Sequence, residues 1–180
     1  DFDNDGDYDL LITGINESGA GITRIYFQEE GEFPFYNTSY NETMVGEDVK
    51  YGSVAVSDYD QDGDFDFALC GMLGSGTDRI TQLYKNTNGE FQKTDDEFNG
   101  VFSGSLAWGD YDADGDMDIL VSGYGSSTTE LYENDEGSFN KTMHEFAGLI
   151  NSDATWADYD SDGDLDLLIC GLDGSEQRTI

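Results

Sequence analysis

The pattern Asp-x-Asp-x-Asp-Gly-Asp-x-Asp occurs four times, opening at Asp1, Asp58, Asp110 and Asp158, with spacings of 57, 52 and 48 residues. A unit that returns at this interval cannot bury its own apolar face and must stack on its neighbours, so the repeat constrains the fold before any single residue does. Two further landmarks travel with the acidic loop. An apolar segment precedes it (Val54-Ala55-Val56, Leu106-Ala107-Trp108, Ala154-Thr155-Trp156), and an apolar run follows, closing on Gly14, Gly71, Gly123 or Gly171. Further on come Ile25-Tyr26, Leu83-Tyr84 and Leu131-Tyr132, each followed by Gly-x-Phe at Gly31, Gly89 and Gly137.

Each period therefore predicts four short strands: one before the loop, one after it, one through the Leu-Tyr landmark, and one beyond the glycine turn. Near-continuous apolar runs in the second strand predict burial on both faces. The fourth strand is polar and holds the only proline, Pro34, which places it at a sheet edge. Four-stranded antiparallel units at this spacing predict an all-β chain of β-propeller blades; a solenoid of stacked sheets is the alternative with the same period. The expected units are 1–46 (a partial blade, loop plus strands two to four), 47–99 and 100–147 (full blades) and 148–180 (a partial blade). They make one propeller domain, a fragment of about three to four blades from a larger propeller.

Oxygen ligands at positions 1, 3 and 5 can converge on one hard cation if the backbone coils around it, and glycine at position 6 allows the sharp turn. The expected metal ligands are Asp1, Asp3, Asp5, Asp7 and Asp9; Asp58, Asp60, Asp62, Asp64 and Asp66; Asp110, Asp112, Asp114, Asp116 and Asp118; and Asp158, Asp160, Asp162, Asp164 and Asp166. Position 7 is expected to act through its backbone carbonyl. An EF-hand needs a bidentate glutamate at position 12, but Ile12, Leu69, Val121 and Ile169 stand there, so position 9 is expected to close the site. Plain Asp-Gly turns would not need twenty of the forty acidic residues. Magnesium prefers to keep its waters, and one histidine with two cysteines suits zinc poorly. Up to four Ca2+ are expected.

The segments Ala107-Trp108-Gly109-Asp110-Tyr111-Asp112-Ala113-Asp114-Gly115-Asp116-Met117-Asp118 and Trp156-Ala157-Asp158-Tyr159-Asp160-Ser161-Asp162-Gly163-Asp164-Leu165-Asp166 resemble the FG-GAP and VCBS repeats of integrin-α-type propellers. The resemblance implies calcium between strands one and two, and an extracellular or cell-surface protein used in adhesion, in carbohydrate or protein binding, or beside enzymes. Val56 departs from it, standing where the later copies carry tryptophan.

The formal net charge of −33 opposes nucleic-acid binding and contact with anionic membranes, and no apolar run is long enough to insert. Sequons at Asn16, Asn37, Asn41 and Asn140 are candidate glycosylation sites, where glycans would shield sheet edges. Cys70 and Cys170 occupy one repeat position, shared with Thr13 and Ser122, which predicts a small buried slot and no disulfide. Phe2, Tyr59, Tyr111 and Tyr159 are expected to pack on the neighbouring blade rather than form a sugar patch. The lone His144 has no evident catalytic partner, so no enzyme activity is expected from this segment. Two alternatives stand beside the binding and adhesion reading: a building block of a glycosylated extracellular fibre or surface layer, through self-association, and the propeller part of a polysaccharide-degrading enzyme.

Overall fold

The computed structural model describes residues 1–28, 42–44, 46–74, 76–126, 128–144, 146–173 and 176–179. The first sheet holds β1 (Leu10–Ile15), β2 (Gly21–Tyr26) and β3 (Glu42–Met44), and the second β4 (Val49–Ser57), β5 (Asp66–Leu73), β6 (Arg79–Thr87) and β7 (Glu90–Lys93). The third holds β8 (Phe102–Gly109), β9 (Asp118–Tyr124), β10 (Thr128–Asp135) and β11 (Ser138–Lys141), with β12 (Phe146–Ala147) also on β10. The fourth holds β13 (Ile150–Ala157), β14 (Asp166–Asp173) and β15 (Glu176–Thr179). Apart from β12, which pairs β10, strands adjacent in sequence pair antiparallel within each sheet, and no helix occurs among the described residues.

The second strands sit between two neighbours and alternate between them. Phe67 and Leu69 of β5 join the cluster shared with the first sheet, while Ala68 and Cys70 join the cluster shared with the third. In β9, Ile119 and Val121 face the second sheet and Leu120 faces the fourth. An unbroken apolar run therefore satisfies a period of two on both faces at once. The core is divided into slabs between sheets, and the leading strands keep the same succession: β8 packs between β4 and β13.

Local chemistry sets the turns. Asn88-Gly89 and Glu136-Gly137 form two-residue hairpins with positive φ at both positions, the geometry that matches strand twist. The strands they lead to, β7 and β11, lie at sheet edges and are mostly exposed. Each leading strand also carries a bulge that the sequence did not announce. Register shifts between Lys50 and Ser53, Phe102 and Ser105, and Ile150 and Asp153 coincide with positive φ at Tyr51, Ser103 and Asn151.

One expectation is modified. Cys70 and Ser122 are buried, but Cys170 is exposed, because β14 is covered by a neighbouring sheet on one face alone. The turn at Gly31, the strand expected around Pro34, and the sequons Asn37 and Asn41 lie outside the described residues. Among the described residues, the strand that pairs with β2 opposite β1 is Glu42–Met44.

Candidate metal centre

The second, third and fourth acidic loops join the first strand of a sheet to the second, the first leads into β1, and all four adopt one conformation. Position 4 is left-handed in every copy (Asn4, Gln61, Ala113 and Ser161, φ 57–62°). Position 6 is glycine with φ between 96° and 101°, a region side chains rarely enter. The carboxylate at position 1 then collects backbone N–H groups: Asp62 and Gly63 donate to Asp58 at 3.1 Å each, and Asp114 and Gly115 to Asp110 at 3.1 Å each. The position 5 carboxylate accepts the N–H of position 7, as in Asp64 to Asp62 at 3.0 Å. These bonds hold the loop coiled with its remaining oxygens turned inward.

Four groups of three carboxylates result, each with one oxygen per residue within 4.8 Å of the others: Asp1, Asp3 and Asp5; Asp58, Asp60 and Asp62; Asp110, Asp112 and Asp118; Asp158, Asp160 and Asp166. Calcium–oxygen bonds of about 2.3–2.6 Å put ligand atoms up to about 5 Å apart, so each group fits around one ion. The buried oxygens Asp1 Oδ1 and Asp60 Oδ1 have no hydrogen-bond partner; buried carboxylate oxygens need one, and a bound cation would provide it.

Positions 7 and 9 have additional structural roles. The position 9 carboxylates strap the loop to the third strand. Asp66 accepts from Tyr59 N (3.3 Å) and Asn86 N (2.7 Å), Asp118 from Tyr111 N (3.0 Å) and Asn134 N (2.9 Å), and Asp9 from Phe2 N (2.6 Å) and Gln28 N (3.0 Å). Burial pushes Asp66 up to about 7 and Asp118 up to about 6. The position 7 carboxylates Asp64 and Asp116 reach sideways. Asn4 of the first loop donates to Asp64 at 2.5 Å, and Gln61 of the second donates to Asp116 at 2.9 Å. Adjacent loops are thus tied position 4 to position 7, except where Ala113 has no amide to give.

Two buried asparagines complete the coupling. Asn86 Nδ2 donates to Phe2 O (2.7 Å) and Phe65 O (3.0 Å), and its Oδ1 accepts from Gly89 N (2.8 Å). Asn134 repeats this with Tyr59 O (2.9 Å), Met117 O (3.2 Å) and Gly137 N (2.8 Å). Each latches the loop of its own sheet to that of the preceding one. The recurring Tyr-x-Asn, at Tyr84 to Asn86 and Tyr132 to Asn134, is the sequence signal for it.

Among the described residues, the second loop is the one that holds a side-chain cation of its own. Lys85 Nζ pairs with Asp60 and, at 3.1 Å, with Asp62. The equivalent residues are Phe27 and Glu133. Hydrogen bonds to Asp60 and then Asp62 raise the lysine above its ordinary value.

The aromatic residues at position 2 follow the sheet order. Phe2 lies edge-on to Phe91 at 5.5 Å, and Tyr59 stacks on Trp108 at 6.3 Å, both in the next sheet. Tyr111 is half-buried near Trp156, and Tyr159 is exposed. His144 is exposed beside Tyr111 and Phe146. Asn16 and Asn140 are also exposed, Asn140 on the edge strand β11.

No curated protein matches the chain. The family model described as FG-GAP-like repeat matches residues 1–69 and 110–169.

Proposed function

This chain belongs to the FG-GAP-like repeat family, and on that premise we propose that its sheets are consecutive blades of a calcium-stabilised β-propeller in an extracellular or cell-surface binding and adhesion protein. FG-GAP repeats are found in integrin-like extracellular proteins. The observation that carries the metal reading is the convergence of three carboxylates in each of four loops, two of them with a buried, partnerless oxygen. The residues that would hold Ca2+ are the carboxylates at positions 1 and 3, joined by position 5 or 9. The ion would supply divalent charge to a chain of net −33, offsetting its self-repulsion. The propeller reading is supported by the order of the sheets, each leading strand packed beside the next. Among the described residues, exposed Asn16 and Asn140 are the candidates for glycan attachment on such a protein.

Calorimetric titration with Ca2+ and with Mg2+, joined to melting curves before and after chelation, tests this reading. Calcium at about 100 times its dissociation constant would stabilise the fold by about 2.7 kcal/mol per site. An unchanged melting curve and no heat of binding would overturn it.

A further inference from the structure

The calcium loops occupy one end of the sheets. At the other end, where second strands hand over to third strands, an open cleft of about 330 Å3 is lined by Arg79 of β6, Tyr124, Gly125 and Ser126 after β9, and Ile150 of β13. That volume is at the lower end of the range for small-ligand sites, about 300–1,000 Å3.

The arginine is set in place rather than left to solvent. Gly125 takes a φ of 131°, and a β-carbon there would lie 2.6 Å from Arg79 Nε. Glycine is what lets the guanidinium stem lie across the turn. Lys50 and Arg79 are both register partners of Met72, so the two cations share one face of the second sheet. Among the described residues, Lys50, Arg79 and Lys93 are the side-chain cations without an ion pair, and Arg79 lines the cleft. Glu130, to which Ser126 of the cleft donates (2.8 Å), already accepts from Asn99 (2.7 Å), Tyr132 (2.8 Å) and Lys141 (2.6 Å).

Beside the cleft runs a line of rings. Tyr51 lies 6.4 Å from Phe102, and Phe102 lies 5.0 Å from Tyr124. Tyr51 is 53% exposed and Tyr124 50%. Tyr51 also sits at φ 52°, an uncommon conformation for a bulky residue.

We propose that this cleft and its aromatic run bind an acidic saccharide, a uronic-acid pyranose whose carboxylate pairs with Arg79 and whose apolar ring face lies on Tyr124. Guanidinium matches a carboxylate through two parallel hydrogen bonds, and exposed flat rings suit a rigid pyranose better than a flexible acidic side chain. The protein's overall negative field does not prevent this, because it is screened beyond about 8 Å at physiological ionic strength. The site is independent of the calcium loops and goes beyond the proposed calcium-stabilised scaffold.

The test titrates the full chain, in calcium, with a glucuronate-containing tetrasaccharide and with the same tetrasaccharide methyl-esterified at its carboxylates. The acid is expected to bind at least about tenfold tighter, the size of one charge-assisted hydrogen bond. Arg79→Gln should remove that preference, and Tyr124→Ala should weaken both ligands, with melting temperature and calcium response unchanged in each. Asp112→Asn should alter calcium binding and leave saccharide binding as it was. Equal binding of acid and ester, no binding at millimolar ligand, equal binding of an acidic peptide, or loss of saccharide binding in Asp112→Asn would each overturn the proposal.

Discussion

Asn134, buried in the third sheet, donates its side-chain amide to the backbone carbonyl of Tyr59 in the loop of the second, at 2.9 Å. Asn86 makes the same bond to Phe2. Asn134→Ala leaves two carbonyl oxygens and the Gly137 N–H without their partner, which costs about 2–4 kcal/mol. Chemical denaturation should show this loss with an unchanged slope, while the distant variant Asn16→Ala stays within about 0.5 kcal/mol of the parent.

Lys85 competes with any cation at the second loop. Lys85→Met should tighten calcium binding there several-fold, about 1 kcal/mol, which is the scale of a partly exposed ion pair. The same change should lower the melting temperature of the chelated protein, since Asp60 and Asp62 then repel without relief. Calorimetry and melting curves on one variant check both signs.

The loop-to-loop bond missing at Ala113 can be installed. Ala113→Asn places an amide where Asn4 carries one, at a left-handed position that asparagine tolerates better than alanine. It should reach Asp164 and stabilise the fold by about 0.5–1.5 kcal/mol. Gln61→Ala, which removes the bond to Asp116, should destabilise by a similar amount. Melting temperatures of the two variants should move in opposite directions.

Glu130 titrates against its own burial. Burial alone would push the carboxyl up, but hydrogen bonds from Lys141, Tyr132, Ser126 and Asn99 together hold it below its usual 4.5. A folded value below the unfolded one means its stabilisation is present above about pH 4.5 and is lost as pH falls through the folded value. Glu130→Gln should therefore cost about 1–3 kcal/mol at pH 7, and the difference from the parent should shrink below pH 4.5. Denaturation at pH 7, 5 and 3.5 measures it.

Residues whose role is written in a short stretch of chain were legible. The coil of each loop follows from Gly63 and its equivalents, and the hairpin turn from Asn88-Gly89. The unbroken runs of β5 and β9 predicted two buried faces, and the structure assigns alternate residues to each neighbour. What escaped was carried by pairs far apart in sequence. Position 9 read as a closing ligand, and the structure also gives Asp66 and Asp118 the task of binding two backbone N–H groups each. Lys85 meets Asp60 only because β6 lies beside the loop, and Asn4 meets Asp64 only across a sheet boundary. No local pattern distinguishes such residues from exposed polar ones.

The sheets follow one another in space in the order in which they are written in the chain, and each grips only the next. A tensile load applied along the chain would therefore tear the molecule one boundary at a time, not all at once. The first and second boundaries carry both an asparagine latch and a loop-to-loop amide. At the third, Ala113 supplies no such amide; there the sheets meet through apolar packing, the Ser122–Ser152 and Ser105–Asp153 contacts, and the Trp156 ring N–H and Ala154 N–H donating to Ala107 O and Ser105 Oγ. An amide installed at position 113 would therefore strengthen that seam under force as well as at equilibrium.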